Sequence, residues 1–162
     1  MIDTSTDRAR ERLAAALGSR RWVDEVAGRG PYDSVAALVE AGDAAARRLT
    51  DEDLDEAVAH HPRIGERASG DGTAVRLSAD EQAGLGRAEE GLDAAIARGN
   101  AVYEERFGRV FLIRAAGRSR QEILDELQRR LKQDPADETA EAKDQLRQIA
   151  ALRLGALFEE DA

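Results

Sequence analysis

Residues 136–158 read ADETAEAKDQLRQIAALRLGALF. Alanine, leucine, glutamate, glutamine and arginine dominate, and no alternation of β-branched residues interrupts them, so the whole stretch is read as one long helix. Leu146, Ile149 and Leu157, with nearby alanines, form its apolar stripe. The same composition recurs toward the N-terminus. Helices are expected over about 7–17, ending at Gly18, and from 33 or 34, with Val35, Leu38 and Val39 on one side. Another opens at 51, where Thr50 serves as N-cap and Asp51, Glu52 and Asp53 fill the first turn; Leu54, Ala57 and Val58 are its apolar face. Residues 18–23 read as a turn leading to the only tryptophan, and 28–32 and 63–77 as loops. Further helices are expected over 78–98, over 100–107 ending at Gly108, and from the capping box Ser119-Arg120-Gln121-Glu122 to about Leu131. The expected fold is therefore all-α: a single compact multi-helix domain over 1–162. Helix lengths and loops are too uneven for a simple up-down bundle.

Composition narrows the function. With 162 residues, 42% hydrophobic and 35% charged, the chain suits one globular domain. Aromatic residues are only 4%, so the core must be built of Leu, Ala, Val and Ile. A net charge of −9 disfavours nucleic acid and anionic membrane surfaces, both of which want clustered Lys and Arg. A small anionic substrate stays open, because it needs only one or two local cations or backbone N–H groups. Zero cysteines rule out disulfides and thiolate metal sites. No apolar run reaches the ~18–20 residues of a membrane span, the first residues lack a signal-peptide core, and a cytoplasmic location is expected.

The two histidines lie side by side in His60-His61-Pro62-Arg63-Ile64-Gly65-Glu66. Imidazole is the chain's only side chain that ordinarily titrates near neutral pH. Pro62 and Gly65 constrain how the backbone leaves the preceding helix, and so where His61 points. Two readings stand: a general acid/base, or a histidine at a helix C-terminus, where cationic side chains are favoured anyway. Adjacent histidines are not a helical i, i+4 metal pair, so no metal is expected. Nucleotide-binding glycine loops and a serine nucleophile elbow are missing.

Helical spacing marks two charged residues. Drawing a buried face through Leu85, Ala88, Leu92 and Ile96 puts Glu81 on the inward side. Glu81 either faces a cleft or closes a capping box with Ser78. Arg153 lies four residues from both Ile149 and Leu157, in the middle of an apolar stripe. Its guanidinium either snorkels along the core edge or meets a carboxylate or carbonyl in a pocket. A third feature is the apolar run Val110-Phe111-Leu112-Ile113-Arg114-Ala115. As a short buried helix start it is ordinary; as extended chain its N–H groups need partners and could form an array of oxyanion donors.

Taken in order, the pieces resemble the 2-oxo-4-hydroxy-4-carboxy-5-ureidoimidazoline (OHCU) decarboxylases of urate breakdown. Trp22-Val23 follows the first helix. His61-Pro62-Arg63-Ile64-Gly65 is similar to the family's His-Pro-x-x-Gly signature. Ser78-x-x-Glu81-Gln82-x-Gly84-Leu85 resembles its second motif. Phe107-Gly108-x-x-Phe111-Leu112-Ile113, with Gly117-Arg118-Ser119 and Glu122-Ile123-Leu124, resembles its third, and Ile149-x-x-x-Arg153-Leu154 its last.

The resemblance implies an all-α, cofactor-free enzyme, usually dimeric, that decarboxylates its substrate stereospecifically to (S)-allantoin. Carried over by motif, the catalytic residues are His61 and Glu81. Substrate contacts fall on Pro62, Ser78, Gln82, the backbone of Phe111, Leu112, Ile113, Arg114 and Ala115, and Arg153. Arg114 departs from the small or neutral residue expected there, which matters little if the contact is through backbone. The implied partners are a small anionic heterocyclic substrate and a second copy of the chain. Two other readings stand beside this one. One is another cofactor-free lyase or isomerase acting on a small carboxylated heterocycle; the other is a non-catalytic helical ligand-binding module.

Overall fold

The computed structural model describes residues 1–59, 61–64 and 90–161. Seven α-helices fall among them: α1 (Asp7–Ala16), α2 (Arg20–Gly28), α3 (Val35–Ala46), α4 (Asp51–Val58), α5 (Glu90–Phe107), α6 (Arg120–Arg130) and α7 (Pro135–Phe158), followed by a 3-10 turn, Glu159–Asp161. No strand occurs among the described residues; an isolated antiparallel bridge joins Ile2 and Tyr32. The chain divides into two compact units, one of Met1–His60 with Lys143–Ala162, the other of His61–Ala142.

Local chemistry sets most boundaries in the first unit. Thr6, Ser19, Ser34 and Thr50 each cap the helix that follows, accepting an otherwise unpaired amide of its first turn. The Ser19 cap corrects the expected turn over 18–23: Ser19 Oγ accepts from Trp22 N, and helix α2 begins at Arg20. Trp22 is consequently a helical core residue, wholly buried, its indole N–H donating to Gly42 O at 3.0 Å. Leu13, Leu38, Leu54, Leu146, Ile149, Leu154 and Phe158 are buried in the same unit. In α7 the buried stripe runs through Leu154 and Phe158, leaving Leu157 only half-buried.

Asp53 ties two ends of this unit together. Its carboxylate accepts from Thr50 N at 2.9 Å, closing the α4 capping box, from Ser19 Oγ at 3.1 Å, and from Arg21 Nε at 2.8 Å. Burial alone would raise its pKa, but the bonds from Arg21, Thr50 and Ser19 outweigh that and lower it to about 2.

In the second unit the core is Ile96, Tyr103, Phe111, Ile113, Ala115, Ile123, Leu124 and Leu127. Complete burial of a Leu or Ile side chain such as Leu127 or Ile123 contributes about 1.5–3 kcal/mol. The expected break at Gly99 does not occur: α5 runs unbroken from Glu90 to Phe107. Gly99 serves close approach instead, since a Cβ there would lie 2.4 Å from Leu127 Cδ2. Gly108, at φ +72°, ends α5 in the left-handed region. Ser119 and Glu122 form the expected capping box at the start of α6, and Pro135 occupies the first helical position of α7.

Candidate active site

His61 follows α4 by a few residues and is non-helical and half-buried. Its Nδ1 lies 3.4 Å from the Pro62 carbonyl oxygen. The next two residues are fastened to α5. Arg63 makes a two-pronged bond to Glu104, with Nε and Nη2 each 2.8 Å from a carboxylate oxygen. Asn100 Nδ2 donates to Ile64 O at 3.3 Å. A cavity of about 620 Å³ opens beside Arg63, Ile64, Asn100 and Glu104; none of residues 111–115 lines it.

Residues 110–115 have no regular secondary structure. Of the two readings of this run, the structure takes the extended one. Phe111, Leu112, Ile113 and Ala115 are all buried. Among the described residues, the amides of Phe111, Leu112 and Ile113 donate to no backbone carbonyl. Buried amides need partners, and among the described residues these three have no backbone acceptor. Arg114 is half-buried; its carbonyl accepts from Arg118 Nε at 3.0 Å, and its guanidinium passes close to Gly117.

Under this run lies a charge cluster that pattern reading passed over. Arg130 and Glu138 are both wholly buried. Arg130 Nε donates to Glu138 at 2.9 Å, and Nη1 donates to Leu112 O at 2.7 Å. Tyr103 donates its hydroxyl to Glu138 at 2.5 Å, and Gln133 Nε2 donates to the other carboxylate oxygen at 2.9 Å. The Arg130 guanidinium stands 4.6 Å from the centre of the Phe111 ring. Burial first, then the Glu138 carboxylate, push the Tyr103 phenol far above its ordinary pKa, so it remains a donor at neutral pH. One signal was available: Ile123, Leu127 and Arg130 follow one another at i, i+4, i+7, which puts Arg130 on the core face of α6.

Arg153 belongs to the first unit and is only 5% exposed. Nη1 donates to Ala15 O at 3.3 Å, so its head group turns inward. Ser78, Glu81 and Gln82 lie outside the described residues, as does His60. Among the described residues no cluster of three His, Cys, Asp or Glu side chains could hold a metal ion, and no helix is long and apolar enough to cross a membrane.

These features define an all-helical protein with a histidine on a proline-bounded turn and a buried, non-helical run of main-chain donors. The OHCU decarboxylase family model matches residues 3–155, and the chain belongs to that family of carboxy-lyases. It is 38% identical over 96 residues to 2-oxo-4-hydroxy-4-carboxy-5-ureidoimidazoline decarboxylase of Amia calva, a match covering 58% of this chain and 55% of the relative. It is 28% identical over 148 residues to the uric acid degradation bifunctional protein TTL of Arabidopsis thaliana, covering 90% of this chain and 46% of that protein. The chain thus spans about half the length of the curated relatives it matches.

Among solved structures, an OHCU decarboxylase crystallised in the presence of (S)-allantoin superimposes with a TM-score of 0.77 at 23% identity, over 92% of this chain and 98% of that one. An (S)-allantoin synthase gives 0.66 at 15% identity, over 92% of this chain and 49% of the other. These two likenesses establish the fold.

Proposed function

We propose that this chain decarboxylates OHCU stereospecifically to (S)-allantoin in urate catabolism, without metal or organic cofactor. The observation that carries this reading is the buried run 111–115, whose amides at Phe111, Leu112 and Ile113 donate to no backbone carbonyl among the described residues. In the reaction, the bond from the ring carbon to the carboxylate carbon breaks heterolytically and CO2 leaves. The electron pair passes onto the adjacent ring imine, whose nitrogen takes a proton; the hydroxyl-bearing carbon then becomes a carbonyl as its O–H proton leaves, and a proton is delivered to one face of the ureido-bearing carbon. Donors aimed at the developing oxyanion contribute about 2.7–4 kcal/mol each. His61 exchanges the proton with the substrate hydroxyl or the new carbanion, while Glu81 and Arg153 hold the ring and ureido groups by charge-assisted hydrogen bonds. Pro62, Ser78 and Gln82 complete the substrate contacts, and the amides of Arg114 and Ala115 extend the donor run.

In this reading the whole of 1–162 works as one OHCU decarboxylase-like domain, as a homodimer in the cytoplasm. The span of the family match, 3–155, supports treating the chain as one functional piece.

The decisive experiment uses freshly generated OHCU and follows circular dichroism for (S)-allantoin and gas evolution for CO2. Wild-type protein yields both. His61→Asn loses about 10²–10⁴-fold in kcat; near-normal turnover by that variant removes the histidine from the chemistry. Ligand binding with no CO2 release identifies a non-catalytic module instead.

A further inference from the structure

We propose that the buried Arg130–Glu138 pair positions the main-chain donor run: by holding the Leu112 carbonyl, Arg130 fixes the Ile113 N–H as a donor toward the reacting substrate. This inference rests on the decarboxylase reading above. The Leu112 carbonyl and the Ile113 N–H belong to one planar, trans peptide unit, so they point in opposite directions. Arg130 Nη1 grips the carbonyl at 2.7 Å, and the N–H is thereby turned away from the guanidinium. The grip is itself fixed. Nε of the same guanidinium is bonded to Glu138, the Phe111 ring lies against its face, and Glu138 is held in turn by Tyr103 and Gln133. Rotating the 112–113 peptide would strand a wholly buried cation's donor, which costs more than an exposed bond would.

The energetics favour a geometric role over a purely stabilising one. A buried ion pair is weak evidence for stability, because desolvation of both charges offsets their attraction, and apolar replacements of similar volume are often neutral or better. The chain nevertheless places a guanidinium, a carboxyl group and a phenol at 0% exposure beneath the non-helical apolar run 110–115. Only a planar, forked donor can hold a carboxylate and a main-chain carbonyl together at fixed angles. Arg130 acts through Leu112 and Ile113, and so is a positioning residue.

The test replaces the charged and phenolic groups with apolar ones, in Tyr103→Phe/Arg130→Met/Glu138→Leu, so that no buried charge is left without its counter-charge and the Leu112 carbonyl alone loses its guanidinium donor while Gln133 loses its carboxylate acceptor. Folding is checked by far-ultraviolet circular dichroism. The expected result is a folded protein with kcat lowered about 10- to 100-fold. KM stays close to wild type, because the lost alignment matters most in the transition state. In protein labelled with 15N-isoleucine there are six candidate resonances, at Ile2, Ile64, Ile96, Ile113, Ile123 and Ile149. Ile113, assigned through Ile113→Leu, shifts on adding (S)-allantoin in wild type and no longer does so in the triple variant. A folded triple variant with wild-type kcat and the wild-type Ile113 response overturns the proposal.

Should the triple variant not fold, Arg130→Lys decides. A single ammonium lacks the fixed, planar spacing of donors that spans Glu138 and Leu112, so kcat falls and the Ile113 amide moves; wild-type values for both overturn the proposal. Wild-type protein that fails to turn over OHCU refutes the decarboxylase reading separately. Even then, the Ile113 amide shift and exchange rate in Arg130→Lys judge the orientation: a change supports it, and identity with wild type overturns it.

Discussion

Asp53 shows how one side chain can carry both a helix start and a long-range tie. Its carboxylate accepts a main-chain amide three residues back and two side chains more than thirty residues away, Ser19 and Arg21. Its folded-state pKa is depressed to about 2 from 3.8. A depressed carboxylate stabilises the fold above its unfolded pKa and loses that contribution as pH falls through the folded value. The stabilisation is therefore complete above about pH 5 and fades between about 4 and 2. The difference is worth about 2 kcal/mol. Asp53→Asn will lose this increment at neutral pH, and its urea midpoint will fall less steeply than wild type's on going from pH 5 to pH 2. Parallel acid profiles for the two proteins would show that Asp53 is not the titrating tie. The sequence displayed the Thr50 cap and the acids behind it. It did not display Ser19 and Arg21 as partners, because nothing in a local pattern links positions so far apart.

At the scale of elements, helix beginnings were more legible than helix continuations. The capping boxes at Thr50 and Ser119 announce themselves in sequence because the bonds they make are local. Gly99 misleads for the converse reason: its purpose is tertiary. It lets α5 and α6 approach, and only the position of Leu127 reveals that. Gly99→Val will place a side chain where Leu127 now sits, costing about 1–3 kcal/mol, only partly offset by the better helix propensity of valine than of glycine. The chemical-denaturation midpoint of the variant will drop accordingly; a midpoint at or above wild type's would mean that Leu127 swings aside freely. The extended conformation of residues 110–115 was one of two readings before the structure, since a short apolar run has no periodicity that separates strand-like chain from a buried helical turn. What decides it is Arg130, whose claim on the Leu112 carbonyl is invisible until α6 and the run are packed together.

For the molecule as a whole, the all-α class and the family were both readable from composition and from the order of short motifs. Arg153 stands out in the sequence as a charge in an apolar stripe, and it is buried. The Arg130–Glu138–Tyr103 cluster does not stand out in the sequence, although Arg130 shares a face with Ile123 and Leu127; an acid in the first turn of a helix, as Glu138 is, looks like ordinary dipole matching. The proposed chemistry places every charge-stabilising donor on the polypeptide itself. Dialysis against EDTA should accordingly leave kcat within about twofold of the untreated enzyme, a change far below the several kcal/mol at stake when a Lewis-acid ion is removed. A larger loss, restored by one divalent metal, would replace the main-chain donors with an ion in the mechanism.

Trp22 has one last consequence. It is the only indole in the chain, sealed from solvent, with its N–H committed to Gly42. Light absorbed selectively by tryptophan is therefore a private optical channel into the Met1–His60 and Lys143–Ala162 unit. The chain carries its own fluorescent gauge of that unit's integrity, with no dye or tag to perturb it.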